Sequence, residues 1–574
     1  MHRTNSDRRP DGPDGRSGIA APAPAGADEG AAGAGSNRSA SPWSAVRSPW
    51  LAWGGGLLLV GIGLFSLYLR QSRVAPFNSD GASIMLQAQS MLHGNLLLSG
   101  WWTADVTFYT TEIPEYMLVE LFRGLHPDVV HICGALTYTL IVLLGAMLAR
   151  GRVKGRAGVV RALLAGGIML APGVIGGTPV FLENPDHAGT AVPILLLLLI
   201  LDRAAERWYV PVAVCALLAW IQVADQLSLV AATAPIAAVA VVRLGMLAVR
   251  RRPLAEYRYD ALLLVAAVAS DGLAKVAVAA IRHFGGYVIH PLPQHLLAPS
   301  SQVPSNARVM GQTLLLLFGA NNLTGAREPI EIIARYHLIG LALAACGLAV
   351  AIATFFGRRT DRVTQILVAA TIATLAAGIL GTELPSLAYA HEVAILLPLG
   401  AVLAGRMLPG LLPDRWRRGA VRVAVPALGV WLACALAALC WAATWAPLAP
   451  QNQALASWLT EHHYTDGLAG YWQANSTTVT SGGAVLVAPI TIQANAARHW
   501  EASVSWYEPG QRRADFVIAV ADPSGVQSGG ELTPQNVRKS FGRPAHQYQV
   551  GQYLIMVYNH NLLPKLGGRA FPGT

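Results

Sequence analysis

The sequence predicts an α-helical polytopic membrane protein with a small α+β domain after its last membrane span. Of the 574 residues, 53% are hydrophobic and only 13% are charged, and the mean hydropathy is +0.43. This composition is too apolar and too poor in charge for an ordinary soluble protein. The apolar residues also fall in long runs, as they must if each run is to cross a bilayer as a helix of roughly 17 to 25 residues.

About eleven such runs follow one another between residues 49 and 446, so we expect about eleven transmembrane helices. Several of the runs are short, and their limits are set only by where polar residues begin. The runs cover residues 51–68, 129–149, 162–181, 188–201, 209–223, 227–242, 261–281, 337–356, 365–381, 393–404 and 421–445.

Basic residues are concentrated in the loops after the second, sixth, eighth and tenth runs. If the spans alternate in direction, these loops share one side, and the positive-inside rule makes that side cytoplasmic. The N-terminus is then cytoplasmic and the C-terminus extracytoplasmic. The net charge of +10 is spread over short loops and not over one soluble face, which argues against a nucleic-acid partner. The residues concerned are Arg150, Arg152, Lys154, Arg156, Arg161, Arg243, Arg250, Arg251, Arg252, Arg358, Arg359, Arg362, Arg415, Arg417, Arg418 and Arg422.

The segments outside the runs differ in composition from one another. Residues 1–48 are rich in small and polar residues, which predicts a disordered cytoplasmic tail and not a signal peptide. Two long outer loops cover residues 71–128 and 282–336. After the last span, residues 447–574 predict an outer α+β domain, with β-rich runs at 484–492, 515–520 and 549–557. The five cysteines lie within apolar runs without ligand spacing, so they indicate neither disulfides nor a metal site.

The first outer loop carries Asp80 just beyond the first span. From residue 80 to 93 the apolar positions recur at helical spacing and Gly94 follows, which predicts an amphipathic helix along the outer membrane surface. Asn78, Ser79 or Asp80 can cap that helix, so a structural role for Asp80 stands beside a chemical one.

Asp80 and Asp225 are the candidate catalytic residues. Each is an isolated acid beside the end of an apolar run, with no basic neighbour in the sequence to neutralise it. A charge at the membrane boundary is costly unless it is hydrated, paired or used. Such an acid can take a proton from a hydroxyl or hold a cation against a phosphate. For Asp225 a simple place in a tight turn is the alternative.

Other ionisable residues in the outer turns are candidates for substrate binding. Glu183, Asp186 and His187 share one turn, where a role in binding a hard cation or a phosphate competes with that of a hydrated turn. Glu392 follows His391 at the start of the tenth run, where pairing with Arg335 or Arg327 is the structural alternative.

Asp271 and Lys275 are four residues apart inside the seventh run. At that spacing they share one helix face, so mutual neutralisation competes with a proton relay or the binding of a lipid phosphate. We therefore leave both out of the candidate site.

Motifs for nucleotide binding or for hydrolytic metal chemistry are missing from the sequence. It contains no phosphate-cradling glycine loop, HExxH, CxxC or GxSxG. Direct use of ATP is therefore not expected. An activated donor already dissolved in the membrane would make it unnecessary.

At Asn78-Ser79-Asp80, continuing through Gln87 and Met91 to His93-Gly94-Asn95, the chain resembles GT-C membrane glycosyltransferases. The order of parts is also similar: a tail, one span, an acid in a long first outer loop, many spans and an outer C-terminal domain. The class includes protein mannosyltransferases, aminoarabinose transferases and arabinofuranosyltransferases, which use polyprenyl-phosphate-linked sugars. Many members have two adjacent acids in the first loop, whereas here Gly81 follows Asp80.

The resemblance implies roles for individual residues. Asp80 would be the general base towards an extracytoplasmic acceptor hydroxyl, and Asp225 a second acid. Outer arginines such as Arg282, Arg308 or Arg335 would hold the lipid phosphate. A divalent cation, Mg²⁺ or Mn²⁺, is the possible cofactor. The competing classes are a transporter or flippase, for which Asp271 and Lys275 are the only hint, and a non-catalytic envelope protein.

Overall fold

The structure is a computed structural model, which describes residues 49–75, 77–171, 179–291, 296–322, 328–357, 360–382, 384–411, 414–450, 452–521 and 531–569. By internal contacts the chain divides into two units, residues 1–56 and 57–574. The first contributes the opening residues of α1, and all that follows concerns the second. The predicted disordered tail, residues 1–48, lies outside the described residues, as do Arg358 and Arg359.

Seventeen helices are named among the described residues, and each of the eleven predicted runs overlaps one or more of them. Three of them begin at a side-chain cap, as at the helix Arg362–Leu380, where Asp361 accepts the N–H of Thr364 at 2.9 Å and Gly381 follows the last turn. The helices are α1 Pro49–Ser72, α2 Ser79–Leu92, α3 Glu112–Arg123, α4 Asp128–Arg150, α5 Gly155–Met169, α6 Ala188–Arg203, α7 Tyr209–Ala224, α8 Ala234–Val249, α9 Arg258–His283, α10 Val303–Leu317, α11 Glu328–Ala353, α12 Arg362–Leu380, α13 Leu396–Met407, α14 Asp414–Ala442, α15 Gln453–Glu461, α16 Tyr471–Thr480 and α17 Pro534–Phe541.

Seven of the described helices are long and apolar enough to cross a membrane, or eight if a pair bent by 53° counts as one span. The bent pair is Leu387–Val393 with Leu396–Gly410, where we predicted the tenth span. The predicted sixth span opens with a π-helical turn, Leu229–Thr233, before α8. The third ends early, since α5 stops at Met169 and residues 172–178 lie outside the described part. The count of eleven therefore remains a prediction.

The outer segments are tied together by a small sheet. Strand β1, Trp101–Thr103, pairs in parallel with β2, Val288–Ile289, and antiparallel with β5, Ala502–Ser503. The three strands come from the first outer loop, the second outer loop and the C-terminal region. This sheet fixes the first outer loop against the C-terminal region.

Helix α2 forms where the spacing predicted it, but its surroundings differ from the prediction. It packs between α3 and α16, and residues on every side are buried, among them Ser83, Ile84 and Gln87. A helix lying on a membrane surface would leave its polar face in water. Here the C-terminal region covers that face.

The C-terminal region forms the mixed α and β structure that the sequence predicts. The remaining strands are β3 Asp466–Ala469, β4 Leu486–Pro489, β6 Phe516–Val520, β7 His546–Val550 and β8 Tyr553–Val557. They form a five-stranded sheet in the order β4-β3-β6-β8-β7, in which β3 is parallel to β4 and β6, and β8 is antiparallel to β6 and β7. One apolar core runs from Phe77 and Ile84 in the first outer loop to Leu468 and Val517 in this sheet.

Candidate functional site

Asp80 lies in the first turn of α2 but does not cap it. The side chain of Asn78 is the cap and accepts the N–H of Gly81 at 3.1 Å. Ser79 donates to the carbonyls of Tyr471 and Trp472, which fastens the helix start to α16. The Asp80 carboxylate is therefore available for other contacts, and it is half-buried.

The phenol of Tyr471 connects Asp80 with Glu501. Its oxygen lies 2.5 Å from Oδ1 of Asp80 and also contacts Oε2 of Glu501. A phenol has a single proton to donate. If it donates to one carboxyl group, the other must supply its own proton to the phenol oxygen.

The electrostatic setting places that extra proton on Glu501. Burial, and then repulsion by Asp80, raise the pKa of Glu501 well above its usual range. Burial also raises the pKa of Asp80, but the Tyr471 hydrogen bond and the charge of Arg498 oppose the rise. A chain of donors from Glu501 through Tyr471 thus stabilises the anion of Asp80. The guanidinium of Arg498 lies 5.1 Å from the centre of the Tyr471 ring.

Gly81 gives the turn from Glu183 to His187 room to approach Asp80. A Cβ at Gly81 would lie 3.2 Å from Oδ1 of Asn184 and 3.1 Å from a methyl group of Val130. Asn184 bridges the two segments, donating to Oδ1 of Asn78 at 3.3 Å and to Oδ2 of Asp186 at 2.5 Å. A second acid directly after Asp80 would need Val130 and Asn184 to move by a few tenths of an ångström.

Glu183 and Asp186 both lie close enough to feel the charge of Asp80. Burial, and then repulsion by Asp80, raise the pKa of Glu183 to about 8. The same two causes raise the pKa of Asp186 well above its ordinary value. Glu183 is therefore expected to hold a proton at neutral pH.

His187 is the centre of a second group of side chains. Its Nδ1 lies 3.0 Å from Oδ2 of Asp225, and its Nε2 lies 3.5 Å from Oε2 of Glu392. The His391 ring stacks on it with centroids 5.5 Å apart. His187 has a positive φ of 52°, a left-handed conformation that is rare outside glycine and asparagine and is often found at functional sites.

Asp225 has the predicted place in a tight turn, and it also contacts His187. It accepts the N–H of Leu227 at 2.8 Å within its turn, and its other oxygen holds His187. Burial raises the pKa of Asp225, but the imidazole and the backbone N–H outweigh this and lower it overall. Burial likewise disfavours charge on His187, yet Glu392 and Asp225 raise its pKa well above the usual value.

Glu112, at the start of α3, faces this second group. It is fully buried and accepts a hydrogen bond from Thr190 at 3.3 Å. Burial is the main cause that raises its pKa to about 7. A Cβ on Gly189 would lie 2.4 Å from the Glu112 carboxylate, so this close approach depends on the glycine.

The structure brings six of the eight predicted site residues together and leaves two arginines outside. The six are Asp80, Asp225, Glu183, Asp186, His187 and Glu392. Arg335 pairs with Glu331 on its own helix at 2.8 Å, so the suggested pair with His391 and Glu392 was wrong. Arg282 is exposed in the last turn of α9, and Arg327 lies outside the described residues.

Asp271 and Lys275 pair with each other at 2.7 Å, with the lysine 75% exposed. The structural reading of this pair is therefore confirmed. A charge pair on an exposed helix face gives a transport pathway no support.

Sequence reasoning missed the contributions of Tyr471, Glu501 and Arg498. All three lie about 400 residues from Asp80 in a region whose composition is that of an ordinary folded domain. Glu112 is not among the predicted site residues. Its burial was not visible in the sequence, since a charged residue in a helix start is usually solvated.

The chain is a multi-pass membrane protein, and it shares its fold with ArnT, a GT-C membrane glycosyltransferase, as the resemblance predicted. The crystal structure of ArnT from Cupriavidus metallidurans bound to undecaprenyl phosphate superposes with a TM-score of 0.52 at 12% identity. The crystal structure of the same protein in the apo state superposes with a TM-score of 0.52 at 13% identity. Each comparison covers 91% of this chain and 99% of ArnT.

The oligosaccharyltransferase of Archaeoglobus fulgidus, in complex with Zn and sulfate, has a TM-score of 0.45 at 14% identity, covering 88% of this chain and 73% of that one. The fold assignment depends on the two ArnT structures. No protein-family model matches the sequence, and no curated protein matches it.

Proposed function

We propose that the protein is an inverting glycosyltransferase that moves a sugar from a polyprenyl-phosphate donor to an extracytoplasmic hydroxyl of a cell-envelope glycan, lipid or protein. The acceptor oxygen attacks the anomeric carbon while Asp80 takes its proton. The bond from that carbon to the phosphate oxygen breaks, and the polyprenyl phosphate leaves with the electron pair.

The observation that carries this proposal is the setting of Asp80. It lies in a fold shared with a protein whose crystal structure contains undecaprenyl phosphate, and Tyr471 donates a hydrogen bond to it. A half-buried carboxylate whose pKa is raised by burial is a stronger base than one in water. The direct test is sugar transfer by the Asp80→Asn variant.

Arg498 is a better candidate than Arg282 or Arg335 for the cation that faces the donor phosphate. Its charge acts on Asp80, and it lines a cavity of about 310 Å³ together with Tyr471 and Trp472. Its Nε is buried without a hydrogen-bond partner among the described residues. A guanidinium offers paired donors that match phosphate oxygens.

The site faces the extracytoplasmic side in this proposal. The arginine-bearing loops after the second, sixth and eighth predicted spans meet at the opposite ends of the helices, where they line a common cavity. The positive-inside rule makes that end cytoplasmic, which leaves the C-terminal region outside.

His187, His391 and Glu392 would hold a divalent cation. Each offers a ligand atom, and these atoms lie within 4.8 Å of one another. Asp225 contacts Nδ1 of His187 and leaves Nε2 for the metal, the arrangement in which a second carboxylate fixes a histidine ligand. Two imidazoles favour Zn²⁺, whereas Mg²⁺ and Mn²⁺ prefer oxygen ligands such as the carboxylate of Glu392. The cation would supply positive charge beside the buried acids.

The proposed cation site is tested by measuring the metal bound to the wild type and to a variant of His391. Purified protein equilibrated with Zn²⁺ or Mn²⁺ and then desalted is expected to retain the metal, as measured by inductively coupled plasma mass spectrometry. His391→Ala removes one ligand and is expected to lose it. Asp225→Asn should weaken binding by roughly 10- to 100-fold, as loss of an orienting partner does. His462→Ala, at an exposed helix end, is the control; equal retention by His391→Ala would disprove the site.

Tyr471 is expected to set the acid side of the pH–rate profile. Transfer requires ionised Asp80, so the rate rises with pH and levels off above the pKa of that residue. Tyr471→Phe removes a hydrogen bond that lowers this pKa, and the acid limb of kcat/KM should therefore move to higher pH. Tyr548→Phe, on a half-exposed ring, is the matched control. An acid limb at the same pH in Tyr471→Phe would show that the phenol does not act on the catalytic carboxylate.

A further inference from the structure

A large cavity lies at the opposite ends of the helices from Asp80 and His187. Its volume is about 640 Å³, within the range of pockets that bind small molecules. Its walls come from the loop after α4, from α5, from the last turns of α6 and α8, from the start of α12 and from α13. None of the candidate site residues lines it.

Positive charge dominates this cavity. Seven arginines and three carboxylates line it, and buried Asp260 lies behind two of the arginines. Even with Asp260 counted, an excess of three positive charges remains. A cavity lined with this excess of positive charge attracts anions.

Part of the charge is used to hold the helices together. Arg406 pairs with Asp202 at 2.8 Å and Asp361 at 2.9 Å. Arg362 pairs with Asp260 at 2.8 Å, and Arg243 contacts the same carboxylate at 3.1 Å. These contacts form a fixed wall of partly or fully buried guanidinium groups.

Four other arginines line the cavity, and three of them have no carboxylate partner among the described residues. Within the described part of the chain no carboxylate lies at ion-pair distance from Arg161 or Arg250. The fourth, Arg252, forms a long ion pair with Glu256 at 3.8 Å, and its side chain is 55% exposed. Arg152 donates to the backbone carbonyls of Asp202 and Ala204, which leaves its charge uncompensated.

We infer that this cavity binds a phosphate-bearing anion. Guanidinium groups recognise phosphate oxygens by paired hydrogen bonds, and basic pockets between membrane helices on the cytoplasmic side bind anionic lipid headgroups. The phosphate comes either from the headgroup of an anionic phospholipid or from a soluble anion. The chemistry of recognition is the same for both, and the inference does not depend on the proposed transferase activity.

The test measures lipid retention by native mass spectrometry. Full-length protein is extracted from nanodiscs that contain phosphatidylglycerol and phosphatidylcholine in equal amounts. The wild type is expected to retain phosphatidylglycerol selectively. The variant R250Q/R252Q, at two exposed positions that leave the buried pairs intact, should bind it about tenfold more weakly, as expected for the loss of one or two charge-assisted hydrogen bonds.

The matched control is K154Q/R156Q, which removes the same charge from exposed residues of the same end that do not line the cavity. It should bind like the wild type. R161Q provides a second variant inside the cavity. A parallel titration with inorganic phosphate separates the two sources, since displacement of the lipid at millimolar phosphate identifies a soluble anion as a competing ligand. Equal binding by R250Q/R252Q, R161Q and K154Q/R156Q would overturn the inference.

Discussion

Replacing Asp80 with asparagine is expected to lower the rate of sugar transfer by about 10²- to 10⁴-fold, the range lost when a general base is removed. The amide keeps the size of the side chain and can still accept the hydrogen bond of Tyr471. It cannot take a proton from the acceptor. The rate is measured as transfer of labelled sugar from a polyprenyl-phosphate donor by membranes that contain the protein.

Asp105→Asn is the control for this experiment. Asp105 belongs to the same outer loop and is partly buried, but its carboxylate accepts the N–H of Val106 next to it. This variant should keep nearly full activity if the effect of Asp80→Asn is local. Unchanged transfer by Asp80→Asn would remove Asp80 from the role of base. Transport of the lipid or a solute without any transfer would favour the transporter reading.

Much of the fold could be predicted because a bilayer imposes strong conditions on the sequence. A spanning helix needs a long apolar run, and each predicted run does overlap a helix. The ends of the helices and the bends within them were harder to predict. The break between Val393 and Leu396 and the π-helical turn before α8 each lie just before a proline, Pro398 and Pro235, whose missing N–H leaves the preceding turn without a hydrogen bond. Pro193 lies inside α6 without ending it, so a proline in an apolar run does not by itself announce a break.

The candidate site could be predicted in part, and for a related reason. Asp80 and Asp225 stand out because each is an isolated acid beside an apolar run, and His187 stands out because it shares a turn with two acids. Their partners do not stand out in this way. Tyr471 and Glu501 lie in a folded outer region where a tyrosine and an acid are unremarkable, and only the tertiary structure brings them to Asp80.

The arginines could be predicted as a group but not one by one. The positive-inside rule identifies which loops share one side, and the structure gathers those loops around one cavity. The positive-inside rule does not say which outer arginine approaches an acid. Arg335 and Arg282 were chosen for their position in outer segments, whereas Arg498 is the one whose charge acts on Asp80.

Arg406→Leu is expected to destabilise the helical bundle by roughly 3–5 kcal/mol, as the loss of one partner from a buried ion pair does. Arg406 and Asp202 are each only 5% exposed, so the substitution leaves a buried carboxylate with only the partly exposed Arg203 as its cation, at 3.5 Å. The guanidinium also donates to the carbonyl of Leu148 at 2.8 Å, which joins α13 to the end of α4. The expected result is a much lower midpoint of thermal unfolding in detergent, measured by size-exclusion chromatography after heating.

Two further variants separate the buried charge from the loss of a side chain. Arg335→Leu breaks an exposed pair of the same type and should cost about 0–1 kcal/mol. The double variant Arg406→Leu with Asp202→Leu removes both buried charges and should regain much of the lost stability, because an apolar pair of similar volume can replace a buried ion pair. If the double variant is as unstable as Arg406→Leu alone, the cost comes from packing and from the Leu148 contact, and the buried charge of Asp202 contributes little.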